Sequence, residues 1–437
     1  MSEMIKIPDG WHQLSIDALW EECWSGEWGN EPSTYNVVNV LGTNNINDDG
    51  TISLDYYTLR TIPTNKLETR LLRNKDILFE KSGGSTNKFA GRVALVKNEI
   101  KNFSCSNFMQ IARVNKKFES EFIFYKLYNA YKTGLVAKYQ QQTTGIINFK
   151  INEYFEEVLA LPKSKIEQQK IAEVLSEVDN AISKTEELFE KNKRFKTALM
   201  QDLLSYGVDE KGKIRNPQTH KFKPSELGDI PVEWDVRNIG EIYKELKTGS
   251  TPSRSNPEYF RGEILWVTSG ELKYKTVTNT IEKITEQAVK DTNLRIYPAG
   301  TFFIAITGLE AEGTRGSCAV IGKEATTNQS CMAFEANNKI DTSYLFQYYL
   351  LHGKYISLYY SQGSKQQSLN NKIVAQIPIH VPPLPEQQKI AQILSSQDEK
   401  IEDIKNKLNK LKSLKASLMQ DLLSGKVRVT KLMEENS

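Results

Sequence analysis

Two identical strings recur in the chain at one fixed distance, and this duplication constrains the fold more than any other feature. The string EQQKIA at residues 167–172 returns at 386–391, and LMQDLLS at 199–205 returns at 418–424, both shifted by 219 residues. Weaker echoes lie upstream at shifts of 222 to 225: PxxW at 8–11 and 231–234, NxKI at 148–151 and 370–373, and glycines at 83 and 91 against 308 and 316. The chain therefore contains two divergent globular domains, each followed by a nearly copied segment.

The copied segments carry a hydrophobic repeat of 3.5 residues, which is typical of a coiled coil. Its seam includes Ile171, Leu175, Ile182 and Leu199 in the first copy, and Ile390, Leu394, Ile401, Leu408 and Leu418 in the second. Gly207 and Gly425 stand where each helix is expected to stop. Each seam could pack on its own globular domain. The seams are narrow and flanked by charges, however, which favours an antiparallel pair of helices with pseudo-twofold symmetry and one domain at each end.

The globular domains mix strand and helix patterns, which predicts an α+β fold. Strands are predicted at 76–79, 92–96, 301–305 and 318–321, and aromatic-rich helices at 121–131 and 343–355. Five tyrosines are more typical of helix core than of base stacking: Tyr348, Tyr349, Tyr355, Tyr359 and Tyr360. The predicted segments are a first globular domain at 1–160, a first long helix at 161–207, a linker at 208–230, a second globular domain at 231–380, a second long helix at 381–427 and a tail at 428–437.

Composition excludes several classes of protein. No run of about 18 apolar residues is present and the first residues lack a signal-peptide pattern, so we expect a cytoplasmic protein without a membrane span. Cys23, Cys105, Cys318 and Cys331 form no CxxC pair, which predicts reduced thiols and no metal site. The net charge of +3 neither supports nor excludes a nucleic-acid partner.

The loops of both domains are rich in small polar, amide and basic residues, which are the groups that contact DNA. Gln and Asn can bond an adenine edge and Arg and Lys a guanine edge, while Ser, Thr and backbone amides hold phosphate oxygens. In the first domain the predicted DNA contacts are Lys81, Ser85, Thr86, Asn87, Lys88, Gln141, Gln142 and Thr143. In the second domain they are Thr248, Ser250, Thr251, Ser253, Arg254, Asn328, Gln329, Lys365, Gln366 and Gln367.

No catalytic motif accompanies these loops. The sequence has no GxxxxGK[ST] phosphate loop and no GxGxxG after a strand. The string NPEY at 256–259 departs from the NPPY motif of adenine methyltransferases, and the PD at 8–9 has no ExK after it at the spacing of a metal-dependent nuclease. The pattern indicates a chain that binds DNA and has no catalytic residues of its own.

Several of these segments resemble one known family. The block at 384–427, its earlier copy at 165–208 and the linker DEKGKIRNPQTHKFKPSELGDIPVEW are similar to specificity subunits of type I restriction–modification systems. The strings TGSTPSR at 248–254 and ILWVTSGEL at 264–272 resemble a common class of their target-recognition domains, while the first domain has no TPS-type loop.

The resemblance implies a mechanism. Each domain would read one half of a split site in double-stranded DNA, and the paired helices would set the gap between the halves. Two methyltransferase subunits carrying S-adenosylmethionine would dock around the helices. Restriction and translocase subunits, with ATP and Mg, would join for cleavage, and this chain would bind none of these cofactors.

Two other functions stay open at this point. The chain could be a free-standing bipartite DNA-binding protein without catalytic partners, in which case no methyltransferase subunit would copurify with it. It could also be an undetected methyltransferase or nuclease, in which case the purified chain would bind S-adenosylmethionine or alter DNA by itself.

Overall fold

The computed structural model describes residues 7–84, 88–97, 100–143, 146–363 and 367–429. The chain divides into two compact units, one formed by Met1–Glu186 with Asn406–Ser437 and the other by Glu187–Lys405. Each unit therefore contains one globular part together with one end of each copied segment. The limits of the six segments given above stay a prediction.

The first unit mixes short strands with helices around one main core. Its strands are β1 (Trp11–Ser15), β2 (Trp20–Ser25), β3 (Val37–Leu41), β4 (Thr58–Thr61), β5 (Ile77–Glu80), β6 (Ser82–Gly84), β7 (Val93–Leu95), β8 (Phe103–Cys105), β9 (Met109–Val114), β10 (Gln140–Thr143), β11 (Ile146–Phe149) and β12 (Val158–Pro162). Its helices are α1 (Thr64–Arg70), α2 (Ser120–Lys132), α3 (Ile151–Phe155) and the first part of α4 (Lys165–Tyr206).

The sheets of this unit follow a simple order. Strands β2-β9-β5-β7 form an antiparallel sheet, β3 pairs parallel with β8 and antiparallel with β4, β1 pairs with β12, and β10-β11-β6 form a small sheet. The core lies between β5, β7 and α2. The burial of every residue of β5 explains the unbroken apolar run from which the strand was predicted.

The second unit contains the following elements. Its strands are β13 (Phe222–Lys223), β14 (Ile230–Pro231), β15 (Asp235–Asn238), β16 (Lys247–Thr248), β17 (Ile264–Val267), β18 (Lys275–Val277), β19 (Lys283–Ile284), β20 (Phe302–Ala305), β21 (Cys318–Ile321), β22 (Ala325–Thr327), β23 (Cys331–Phe334) and β24 (Pro378–Val381). Its helices are α5 (Ile239–Ile242), α6 (Glu286–Asp291), α7 (Thr342–Tyr360), α8 (Asn371–Ala375) and the first part of α9 (Leu384–Ser424).

The second globular part repeats the topology of the first. The sheet β16-β23-β20-β21-β18 corresponds to β2-β9-β5-β7, the parallel pair β17·β22 with β19 corresponds to β3·β8 with β4, and β15·β24 corresponds to β1·β12. The duplication thus includes both globular parts, although their sequences differ, and the α+β prediction is confirmed. The NxKI echo does not align equivalent residues, because Asn148 lies in β11 whereas Asn370 caps the start of α8. The structural counterpart of Asn370 is Lys150, which precedes α3 and lies two residues after Asn148.

Both copied segments are single long helices, and their ends pair antiparallel inside each unit. In the first unit Lys415 Nζ lies 2.6 Å from Asp179 Oδ1. In the second unit the same ion pair forms between Lys196 and Asp398, with the roles of α4 and α9 exchanged. The amide of Val208, just after α4, donates to Glu386 at the start of α9 over 2.9 Å, as an antiparallel pairing requires.

The predicted seam positions face inward along both helices. Ile171, Leu175, Ile390, Leu394 and Leu408 are buried. Ile182, Leu199, Ile401 and Leu418 are half-buried. The outer ends of the seams also join the core of the adjacent globular part. The pairing of the two helices and the packing of each seam on a globular domain therefore occur together.

Both long helices stop where the glycines predict. Gly207 and Gly425 have φ of 65° and 72°, a left-handed conformation that ends a helix at little cost only when the residue is glycine. The buried tyrosine prediction for α7 is partly wrong. Tyr348 and Tyr349 are buried, whereas Tyr355 and Tyr359 are exposed and stacked, with ring centroids 5.4 Å apart. In the part of the chain that the structure describes, no helix is long and apolar enough to cross a bilayer.

Candidate nucleic-acid interface

The polar segments predicted in the second domain lie side by side at one end of its five-stranded sheet. The loop after β16, the turn before β23, the chain after β20 and the chain before α8 are joined by main-chain hydrogen bonds. These run from Gly249 N to Asn328 O (3.1 Å), Ile306 N to Ser330 O (2.9 Å), Leu369 N to Ile306 O (2.7 Å) and Leu309 N to Gln367 O (3.1 Å). We call residues 248–254, 306–309, 326–330 and 367–369 the second polar edge.

The first unit builds the same arrangement from different residues. Its main-chain hydrogen bonds run from Gly26 N to Met109 O (2.9 Å), Glu27 N to Cys105 O (2.8 Å), Lys81 N to Phe108 O (2.8 Å) and Phe149 N to Lys81 O (2.7 Å). Strand β11 pairs with both β6 and β10, so the two polar segments predicted in this domain share one small sheet. We call residues 25–27, 81–83, 105–110 and 140–149 the first polar edge, of which 144 and 145 lie outside the described residues.

One glycine in each edge allows two chain segments to touch. A Cβ on Gly249 would lie 1.6 Å from Thr327 O, and a Cβ on Gly26 would lie 2.1 Å from Ser106 O. Any larger residue would separate the strands, so both positions need glycine for close approach rather than for an unusual φ. The two glycines are 223 residues apart, the same shift that relates the PxxW echoes.

This correspondence identifies a loop that the sequence reading missed. The loop after β2, from Ser25 onward, is the counterpart of TGSTPSR, and a 223-residue shift applied to that string would have found it. It carries Trp28, whose ring lies 4.8 Å from the Arg60 guanidinium.

Several hydroxyl and amide side chains of the second polar edge reach the surface, whereas Thr326 and Thr327 are buried. Thr248, Ser253 and Gln329 are exposed, and Ser250 and Asn328 are half-buried. Thr251 Oγ1 donates to Gln329 Oε1 over 2.6 Å, which links the loop after β16 to the turn before β23. These groups can exchange their present partners for base edges or phosphate oxygens without leaving a buried group unpaired.

Arg254 is held in place on three sides. Its Nη2 lies 2.7 Å from Glu282 Oε2, and its guanidinium lies 4.3 Å from the Phe260 ring and 5.5 Å from the Trp266 ring. The hydrogen bond from Arg254 lowers the pKa of Glu282, so the carboxylate stays charged. The positive charge of Arg254 is therefore compensated by its own chain.

The predicted cations of the first domain also have partners within the chain. Lys81 Nζ donates to Ser25 Oγ over 2.6 Å, and its burial lowers the pKa of the ammonium. Lys88 Nζ pairs with Asp48 Oδ1 at 2.5 Å. Gln141 and Gln142 are exposed on β10. These strand residues were predicted as a loop, and the pairing of β10 with β11 makes them regular instead.

Some predicted contacts cannot be placed. Ser85, Thr86, Asn87, Lys365 and Gln366 lie outside the described residues, and Thr143 is placed only as the last residue of β10. The backbone amide of Gln367 donates to Glu310 Oε2 over 3.0 Å.

No group of three or more His, Cys, Asp or Glu side chains suited to hold a metal occurs among residues 7–84, 88–97, 100–143, 146–363 and 367–429. Cys105, Cys318 and Cys331 are buried, and their burial raises the pKa of each thiol to about 12. Cys23 is half-buried. No two of the four thiols are joined in a disulfide.

Known proteins are similar to this chain in sequence and in fold. The profile of the type I restriction modification DNA specificity domain matches residues 29–191 and 231–413. The MjaIX specificity subunit of Methanocaldococcus jannaschii is 34% identical over 207 residues, 46% of each chain. The putative MjaX specificity subunit of that organism is 28% identical over 364 residues, 81% of this chain and 79% of the relative. The crystal structure of a type I S subunit from M. genitalium superposes with a TM-score of 0.59 at 18% identity, over 97% of this chain and 99% of that one, which shows a common fold.

Proposed function

The chain belongs to the specificity subunits of type I restriction–modification systems, which recognise DNA sequence, and from that premise we propose that it reads a bipartite site in double-stranded DNA with one half-site per globular domain. The observation that carries the proposal is the polar edge built twice on one topology. Each edge would contact its own half-site.

The two edges differ in the groups that they offer. The first presents amides on a strand, Gln141 and Gln142, while the second presents hydroxyls, Gln329 and the fixed guanidinium of Arg254. Amide side chains favour adenine edges and guanidinium groups favour guanine in the major groove. Two unlike edges would read two unlike half-sites, so the full site is expected to be asymmetric.

The paired helices would act as a ruler between the half-sites. Helix α4 has 42 residues and α9 has 41, so each is on the order of 60 Å long at about 1.5 Å per residue. A rod of that length would let two domains face successive turns of one duplex, which repeat about every 34 Å.

The chain itself would be non-catalytic. Two methyltransferase subunits with S-adenosylmethionine would dock around the helices, and restriction and translocase subunits using ATP and Mg would join them. The chain would then scaffold the modification and restriction subunits while binding none of their cofactors.

Methylome sequencing tests the proposal directly. Cells with the intact gene should show a split methylated motif that disappears when the gene is deleted, and methyltransferase subunits should copurify with the chain. Arg254→Ala should weaken binding of the assembled complex to the motif, whereas Arg237→Ala, which also removes an ion-paired arginine but from β15, should not. A motif that persists without the gene, or a purified chain that methylates or cuts DNA alone, would refute the proposal.

The ruler has its own test. Four residues inserted into α4 add about one turn and a stutter to the 3.5-residue repeat, so the gap between the methylated half-sites should lengthen. An unaltered gap in the methylome of an assembled, active complex would rule out the helices as the ruler.

A further inference from the structure

One apolar side chain stands out beside the second polar edge. Ile281 exposes 90% of its surface, more than any other large apolar side chain in the part of the chain that the structure describes. Full burial of an isoleucine side chain contributes about 1.5–3 kcal/mol to stability, and an exposed isoleucine contributes almost none of this. Packing within the described residues therefore does not explain the isoleucine at this position.

The backbone that carries Ile281 is fixed. Its amide donates to Glu271 Oε1 over 2.7 Å. The other carboxylate oxygen of Glu271 accepts from both the amide and the hydroxyl of Thr268, at 2.8 and 2.9 Å. On the other side, Thr280 Oγ1 donates to Glu282 O over 2.6 Å. The side chain is thus presented from a braced turn, and its β-branch limits its own rotamers.

The same turn is joined to the polar edge. The neighbouring Glu282 holds Arg254 of the loop after β16, and Arg254 lies over Trp266. Trp266 Nε1 in turn donates to Ser250 O over 3.1 Å. A continuous set of contacts therefore connects Ile281 to the residues proposed to face DNA.

Among the base edges exposed in the major groove, the C5-methyl group of thymine is the apolar one. An exposed, rigid isoleucine beside hydroxyl, amide and guanidinium groups matches that methyl group in chemistry. We infer that Ile281 contacts the C5-methyl of one thymine in the half-site read by the second domain, and so contributes to its specificity. The inference rests on the proposed function and adds a residue to it.

Deoxyuridine supplies the test, because it pairs as thymine does but lacks the methyl group. The purified native complex would be titrated with duplexes that carry its methylated motif and have thymines replaced one at a time. Burial of one methyl group contributes about 0.8 kcal/mol, so one replacement should weaken wild-type binding about four-fold. Ile281→Ala should bind both duplexes equally at that position, and Ile281→Val should keep most of the difference.

Ile296→Ala is the matched control, since Ile296 is exposed on the same unit and lies outside the second polar edge. It should discriminate thymine from deoxyuridine as the wild type does. The inference is overturned if the wild type prefers its motif yet binds every deoxyuridine duplex as tightly. It is also overturned if the half-site read by the second domain contains no A·T pair, or if Ile281→Ala instead releases a methyltransferase subunit. Failure to prefer the motif at all would refute the proposed function rather than this inference.

Discussion

Replacing Gln387 with leucine should destabilise the second unit strongly, because the side chain of this copied residue bonds three backbone groups. Its Oε1 accepts from Asp341 N over 2.7 Å, and its Nε2 donates to Pro382 O over 2.8 Å and to Lys339 O over 3.2 Å. The side chain is fully buried. Leucine fills the volume but leaves the backbone amide of Asp341 and the carbonyls of Pro382 and Lys339 without this partner.

The expected cost follows from those three groups. One buried amide without a partner costs about 1–3 kcal/mol, and the carbonyls add to it, so we expect about 3 kcal/mol. With a urea dependence of about 1–3 kcal/mol per molar, the midpoint of the transition should fall by about 1 M or more.

The assay is urea denaturation of the full chain, combined with hydrogen exchange at residues 339–344 to identify the unit that opens. Gln388→Leu is the matched control, because the adjacent glutamine is exposed and should shift the midpoint little. Equal midpoints for the two variants, or a loss of protection in the first unit only, would refute this role for Gln387.

Three further predictions address the polar edge, the helices and the response to acid. Gly249→Ala should abolish binding to the motif, since its Cβ would lie 1.6 Å from a carbonyl oxygen, whereas Gly270→Ala, with nothing closer than 3.9 Å, should bind normally in the same titration. Lys196→Glu should lower the free energy of unfolding by about 1 kcal/mol, and adding Asp398→Lys should restore most of it; no recovery in this double-mutant cycle would contradict the ion pair. Burial lowers the pKa of His352 to about 4, so the unfolded chain binds one more proton at this group than the folded chain between about pH 4 and 6.5. As the pH falls below 6.5, this group should lower the free energy of unfolding by at most about 1.4 kcal/mol per pH unit. Urea melts at several pH values should show this slope, and His352→Phe should reduce it.

The helical framework could be predicted because its signals are local and repeated. Strict spacing in the copied segments predicted both long helices, and the glycines at 207 and 425 predicted their ends to within a residue or two. Buried apolar residues such as Ile77, Leu78 and Phe79 predicted the central strands for the same reason. In each case the residues that decide the structure are neighbours along the chain.

The polar edges were predicted only in part, because their geometry depends on contacts between distant residues. Gln141 lies on a strand rather than in a loop, since β11 is paired on both of its sides. The hydrogen-bond partners of Lys81 and Arg254 are 56 and 28 residues away. No sequence pattern distinguishes Ile281, because its exposure depends on the turn that the side chain of Glu271 holds in place.

The copied strings coincide with the contacts that join each long helix to its unit. Glu167 binds Arg428 through two hydrogen bonds of 2.7 and 2.8 Å, and Glu386 binds Arg215 in the same way in the other unit. These joints tolerate little change, because removing one partner of a buried ion pair leaves the other charged and unpaired. Both polar edges contain buried residues, such as Cys105 and Thr327, but the described side chains proposed to contact DNA are exposed or half-buried and so are freer to change. A chain built on this division can change what each edge contacts while the helices and their joints stay the same, as the proposed reading of two different half-sites would require.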